Sequence, residues 1–229
     1  MMSFWYEETK SIWTSICDTT PIVIIFKKNG LLPALTEGEL TQVLKRYPEI
    51  KDILIDVTER PIERKKNYEQ QKKEYSWKKK MHTMKNLIIS SENKLVLWLW
   101  KTEVGTKHDY KMLKESGFMG ALVKYSLRVD LWFHWILSEY PQHTSMIPHK
   151  SSKLKKLSAS QKEENTIIGS IRVWIENVIG WVKKYWIIAS RYRNRTIWDF
   201  RTVKDNMKQK FMIAVCWLYN LSKSKHLFA

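Results

Sequence analysis

Four acidic residues stand where acidic residues are least expected. Asp56 closes the apolar run ILID, Asp109 follows the segment GTKH, Asp130 follows LRV, and Glu176 lies in the spacing R-x3-E-x6-K with Arg172 and Lys183. Apolar strands seldom end in carboxylates, so three such placements ask for a reason. On a helix, offsets of four and seven return to about the same face, so Glu176 would sit between two cations. Carboxylate oxygens converging from separate elements are what hard divalent cations require. Paired magnesium ions about 3.5–4 Å apart can activate an attacking hydroxyl and stabilise the leaving oxygen of a phosphodiester. An ordinary ion pair on a solvated helix face accounts equally well for Arg172 and Glu176 taken alone.

The charge of the chain favours a phosphate partner. Its 229 residues hold 40 Lys and Arg against 23 Asp and Glu, a formal charge of +17. A field of that sign attracts polyanions, nucleic acid first and an anionic membrane surface second; an excess of plain surface lysine is the remaining reading. One of the most basic stretches, with Lys78, Lys79 and Lys80 in YSWKKK, comes soon after Asp56.

Other chemistries find little support. The apolar runs IVIIF (22–26) and LVLWLW (95–100) have strand length, well short of the roughly 20 residues that span a bilayer. MMSFWYEETK lacks the basic start of a signal peptide. Cys17 and Cys216 lie in apolar surroundings without metal-ligand spacing, as expected of a reducing cytosol. The scattered histidines, His82, His108 and His134 among them, show no zinc spacing. No phosphate-binding glycine loop or G-x-S-x-G elbow occurs, so neither a nucleotide cofactor nor a serine nucleophile is expected.

The elements that must position these residues read as a mixed α/β domain, strands first and helices later. Residues 1–34 have poor periodicity. TEGELTQVLKRYPEI (36–50) predicts a helix capped by Thr36 and ended by Pro48, and KDILID (51–56) predicts a strand. The charged segment 63–80 is expected to be a loop. MHTMKNLIIS (81–90) and KLVLWLWKTE (94–103) predict a hairpin turning at SSEN. A short helix over 108–116, a strand or helix-then-strand over 120–130, and an edge strand over 145–150 follow, Pro148 removing a ladder donor there. Ile168, Ile171, Ile175, Val178, Ile179 and Val182 recur at threes and fours, predicting a long amphipathic helix; residues 208–224 predict a last apolar one.

In this order, IDVTERPI, KKEYSWKKKMHTMKNLIIS, KTEVGTKHD, VDLWFHWI, IPHK and IIGSIRVWIENVIGWVKKYWIIASRYRNR resemble the DDE transposases of bacterial insertion sequences, in the group related to Harbinger-type DDE endonucleases. The resemblance covers roughly residues 36 to 220. It implies an RNase H-like fold, a central mixed sheet flanked by helices. It implies Asp56, Asp130 and Glu176 as catalytic carboxylates, and Asp56, Asp109, Asp130 and Glu176 as ligands of Mg2+ or Mn2+, with two ions. Asp109 is either a ligand or an anchor behind the ligands. Arg172, Glu176 and Lys183 match the R, E and K of a Y-R-E-K signature, with Gly169 at its tyrosine position. Arg172, Lys183, Lys78, Lys79 and Lys80 would hold DNA phosphate.

The implied partner is double-stranded DNA, at transposon ends and at the target, with a homodimer as the acting species, in the bacterial cytoplasm at the nucleoid. The implied division is a remnant of an N-terminal helical DNA-binding region over 1–50 and the catalytic domain over 51–229. A catalytically inactive DNA-binding remnant is the alternative.

Five tryptophans, Trp77, Trp132, Trp135, Trp181 and Trp217, stand where the resembled family has glycine. Either UGA is read as glycine in the source lineage, or these indoles fill the core and stack on bases. At close-approach positions an indole is expected to clash.

Overall fold

The computed structural model describes residues 31–152, 156–189 and 201–224. Residues 1–30, including Cys17 and the run 22–26, lie outside the described residues.

Strand β1 (Asp52–Pro61) is the centre of the sheet. Its β-branched run Ile53, Ile55, Val57, Thr58 suits a pleated, half-covered surface. It pairs antiparallel with β3 (Met81–Ser91) from Ile53↔Ser91 to Pro61↔Thr83. On its other side it pairs parallel with β6 (Ser126–Arg128), which pairs parallel with β7 (Ser145–Met146). Strand β2 (Tyr75–Ser76), β4 (Val96–Leu99) and β5 (Glu103–Val104) all pair antiparallel with β3. The result is a seven-stranded mixed sheet.

Helices cover both faces, the short α4 (Ile136–Glu139) and α6 (Trp186–Ala189) lying between longer ones in the chain. Alternation along β1 sends Ile53 and Ile55 to one side and Leu54 to the other. The first side packs on α1 (Glu37–Arg46) through Leu40 and Leu44, and on α3 (Asp109–Ser116) through Met112 and Leu113. The second packs on α5 (Ala159–Lys184) through Ile175, Val178, Ile179 and Val182, and on α7 (Arg201–Ser224) through Met212, Val215, Cys216 and Tyr219. The apolar stripe read from the sequence is therefore the buried face of α5, with Ile171 half-covered at its margin. Burial pushes the Cys216 thiol up to about 12, which keeps it an inert apolar filler. This is the mixed α/β architecture, sheet between helices, that the sequence predicts.

Caps fall where side-chain chemistry places them. Thr36 accepts from the Glu39 amide, and Ser158 with Gln161 forms a reciprocal capping box at the start of α5. Gly117, with φ 75°, ends α3 in the left-handed conformation that glycine adopts freely. Between α3 and β6 a short 3-10 turn, Phe118–Leu122, supplies the helix-then-strand form of 120–130.

Three local expectations need correction. The segment 63–80 is not all loop: α2 (Tyr68–Glu74) forms there because Asn67 caps the Gln70 amide, and Lys65 reaches Glu74 at 2.5 Å. The predicted strand over 94–103 breaks in two, β4 and β5, at residues 100–102, and β4 itself carries a register shift opposite Ile89 and Ser90. Asp56 does not end its strand, because pairing with β3 carries β1 on to Pro61.

The tryptophans depart from expectation too. Trp77, Trp132, Trp135 and Trp181 are 82%, 55%, 42% and 41% exposed, so they neither clash nor fill the core; Trp217 is half-buried on α7. Among the described residues positive φ belongs to Lys80, Lys94 and Gly117, so none of the five sits on backbone that demands glycine.

Candidate active site

The site is built where β1 and β6 run side by side. Their register pairs Asp52 with Ser126, Ile53 with Leu127 and Leu54 with Arg128. Carried two residues past the last pair, the same offset would set Asp56 opposite Asp130, and the two carboxylates are near enough to act on each other. By alternation Asp56 shares the face of Leu54, the face that α5 covers. Its carboxylate accepts from the Val57 amide at 2.7 Å. Asp130 lies beyond the end of β6, not at it. It caps a short 3-10 turn, Leu131–Phe133, accepting from the Leu131 amide at 2.6 Å, while buried Phe133 ties that turn to the core.

Helix α5 supplies the third wall. Arg172 Nη2 lies 3.3 Å from Asp130 Oδ2 and 3.5 Å from Glu176 Oε1. Glu176 thus joins the cluster through Arg172, with its own side chain 55% exposed. Two turns further on, Lys183 is half-buried and feels the charges of Asp56 and Glu59. It also feels Lys79, in the exposed turn Trp77–Lys80 that joins β2 to β3. Lys78 and Lys80 are exposed in the same turn.

Asp109 is held differently. It stands at the first position of α3, behind the capping His108, and accepts from Lys85 Nζ at 2.9 Å. Lys85 also donates to the Lys107 carbonyl at 2.9 Å. The loop before α3 is pressed onto β3 at Gly105, whose amide donates to the Thr83 carbonyl at 3.0 Å. A β-carbon at Gly105 would meet Thr83 Oγ1 at 2.1 Å and the Thr83 carbonyl oxygen at 2.8 Å. Spacing does not single out Lys85 or Gly105: one is a lysine among many, the other a single glycine.

The electrostatics centre on Asp56. Burial pushes its carboxyl up to about 6; the Val57 amide and Arg172 oppose the rise, and Asp130 and Asp109 add to it. Lys183 is held below the usual lysine range by burial first and by Lys79 second, while Asp56 and Glu59 act the other way.

The oxygens of Asp56, Asp130 and Glu176 are the hard donors that Mg2+ or Mn2+ takes. As the side chains stand, no group of three acidic, histidine or cysteine residues among those described is close enough to hold an ion. Arg172 pairs with both Asp130 and Glu176. The donor chemistry therefore fits, and the assembled ligand shell would require Arg172 to move.

Residues 55–220 match the family described as DDE superfamily endonuclease. The chain is 35% identical over 177 residues to the probable transposase for insertion sequence element IS702 of Microchaete diplosiphon, an alignment covering 76% of this chain and 59% of that protein. The chain thus spans somewhat under two thirds of that relative's length. No solved structure matches the chain. Among the described residues no helix is long and apolar enough to cross a membrane. With a match that starts one residue before Asp56 and takes in Asp109, Asp130, Arg172, Glu176 and Lys183, the chain belongs to the DDE superfamily endonucleases.

Proposed function

We propose that this chain carries the catalytic domain of an insertion-sequence transposase, which cleaves double-stranded DNA at transposon ends and joins the freed ends to a target. The observation that supports this most is the placement of Asp56 on β1 and of Asp130 just past the end of neighbouring β6, beneath the helix that bears Glu176. Asp56, Asp130 and Glu176 would hold Mg2+ or Mn2+, as a pair of ions. Bound there, the metal supplies Lewis acidity for phosphodiester cleavage and transfer.

The chain's own residues do the rest. Asp56, raised to about 6, is ionised at neutral pH and able to bind a cation. Lys183 and the exposed lysines 78–80 form one basic rim from α5 to the β2–β3 turn, suited to the phosphates of a strand laid across the carboxylates. Arg172, once released from Asp130, has the planar fork that binds phosphate at two points. Two ends cut in concert call for two copies of the chain, working in the cytoplasm at the nucleoid.

The test is a DNA cleavage assay in Mg2+ with Asp56→Ala and Glu176→Ala. Both variants lose cleavage and keep DNA binding; cleavage that survives in either overturns the assignment. A second reading, a DNA-binding remnant without catalysis, is favoured by the lack of an assembled ligand shell among the described residues. It is the answer if the unmodified chain binds DNA and cuts none in Mg2+ or Mn2+.

A further inference from the structure

We infer that Lys85 is a positioning residue of this site and that its ion pair keeps Asp109 out of the metal shell. This rests on the metal-dependent reading above and assigns roles within it. Lys85 lies on β3, opposite Glu59 of β1 on one side and Glu103 of β5 on the other. Those two acidic residues have their own partners. Glu59 accepts from Thr83 Oγ1 at 2.5 Å, and Glu103 lies 2.9 Å from Lys107 Nζ. The Lys85 ammonium bends instead toward the start of α3, where it meets the Lys107 carbonyl and Asp109 Oδ1, each at 2.9 Å. Its side chain is 15% exposed and that of Asp109 26%, so solvent screens the pair only in part.

Two consequences follow from that contact. First, it fixes the corner between β5 and α3, together with the Gly105 amide on Thr83. Lys85 grips both the backbone before Asp109 and the Asp109 carboxylate. Second, it sets the local charge. Asp109 opens α3, which packs through Met112 and Leu113 on the strand that carries Asp56, so its negative charge lies beside the site. Lys85 offsets that charge. Asp130 and Glu176 share Arg172, a cation on a long side chain at a helix surface that can swing away. Lys85 has no such freedom, being held between neighbouring strands and bonded to a main-chain oxygen. Asp130 is therefore the carboxylate free to turn to an ion, and Asp109 the one committed to its lysine.

The test is a charge-balance cycle read by Mn2+ binding to the free chain, by calorimetry or electron paramagnetic resonance, with Lys85→Met, Asp109→Asn and the double variant. Loss of Lys85 leaves an uncompensated negative charge and tightens Mn2+ binding. Loss of Asp109 leaves an uncompensated positive charge and weakens it, each by on the order of tenfold, the range of partners behind a ligand shell. The double variant, neutral again, returns to within about threefold of the unmodified chain, which no purely structural role would produce. If the double variant stays as weak as Asp109→Asn, Asp109 is a ligand and the inference fails. Lys85→Arg keeps the charge and keeps the affinity; a tenfold change there also overturns the inference, and this variant serves if Lys85→Met does not fold. A chain with no Mn2+ affinity in any form overturns the metal reading and this inference together, whereas a weak double variant beside a binding parent overturns this inference alone.

Discussion

The Arg172 guanidinium lies 3.3 Å from the Asp130 carboxylate, a contact from helix to strand end across the face that also holds Asp56. Arg172 lowers the affinity of Asp56 for its proton, against the larger effect of burial. Arg172→Gln therefore moves the Asp56 midpoint upward from about 6. Carbon-detected NMR titration of the aspartate carboxyls checks this. An unchanged or lower midpoint shows that Arg172 does not act on Asp56.

Stability should respond to the same carboxylate. The folded chain raises Asp56 from 3.8 to about 6, so it favours the protonated form. The stability this residue contributes is complete below about pH 4 and is lost as pH rises through 6. At pH 7.5 Asp56→Asn is then more stable than the parent by on the order of 2 kcal/mol. Thermal melts should show a gain of roughly 4–8 °C at that pH, shrinking to nothing near pH 4.

Gly105→Ala puts a methyl group into Thr83, against a backbone oxygen as well as a side chain. The cost is about 1–3 kcal/mol. Denaturant unfolding measures it, and Thr83→Ala, which removes the hydroxyl but leaves the backbone oxygen in place, relieves it only in part.

Replacing Lys78, Lys79 and Lys80 together with Gln weakens DNA binding to all sequences alike. The slope of log affinity against log salt falls by up to about 2.7, near 0.9 for each phosphate that is no longer neutralised. A slope that does not change removes this turn from the DNA surface.

If UGA is glycine in the source lineage, the chain made by its own cells has glycine at 77, 132, 135, 181 and 217, and intact mass reads this directly. Trp77→Gly in the chain as given costs little stability, because its indole is 82% exposed; Trp135→Gly and Trp181→Gly cost more, because Trp135 packs on Tyr110 and His134 and Trp181 lies within α5 against Tyr219, Lys184 and Lys223. A large loss at Trp77→Gly means that its ring packs in a way its exposure does not reveal.

Much of the fold is legible in the sequence because its signals are local. The Ile and Val stripe of α5 has helical spacing, the β1 run has β-branched residues, and Thr36 and Ser158 are capping residues in place. The carboxylates Asp56 and Asp130 are legible because each interrupts apolar surroundings. The extent of β1 beyond Asp56 is not, since VTERP carries no strand pattern of its own and is held by pairing with β3. Nor is α2, which depends on one asparagine cap in a charged segment. Lys85 is invisible for the same reason: its partner Asp109 is 24 residues away, and only the crossing of the loop at Gly105 brings them together.

Asn220 of α7 bonds both the amide and the carbonyl of Val96 at 2.8 Å and takes the Leu31 carbonyl as well, while Ala34 bridges Leu97 and Leu99. The outer margin of β4 is thus already saturated by the chain's own groups. A second copy finds no strand there to extend, so continuous β-pairing between protomers cannot begin at β4. Among the described residues, this side offers a second copy the surface of α7 and the segment about Ala34, contacts that can separate again without unpicking a shared sheet.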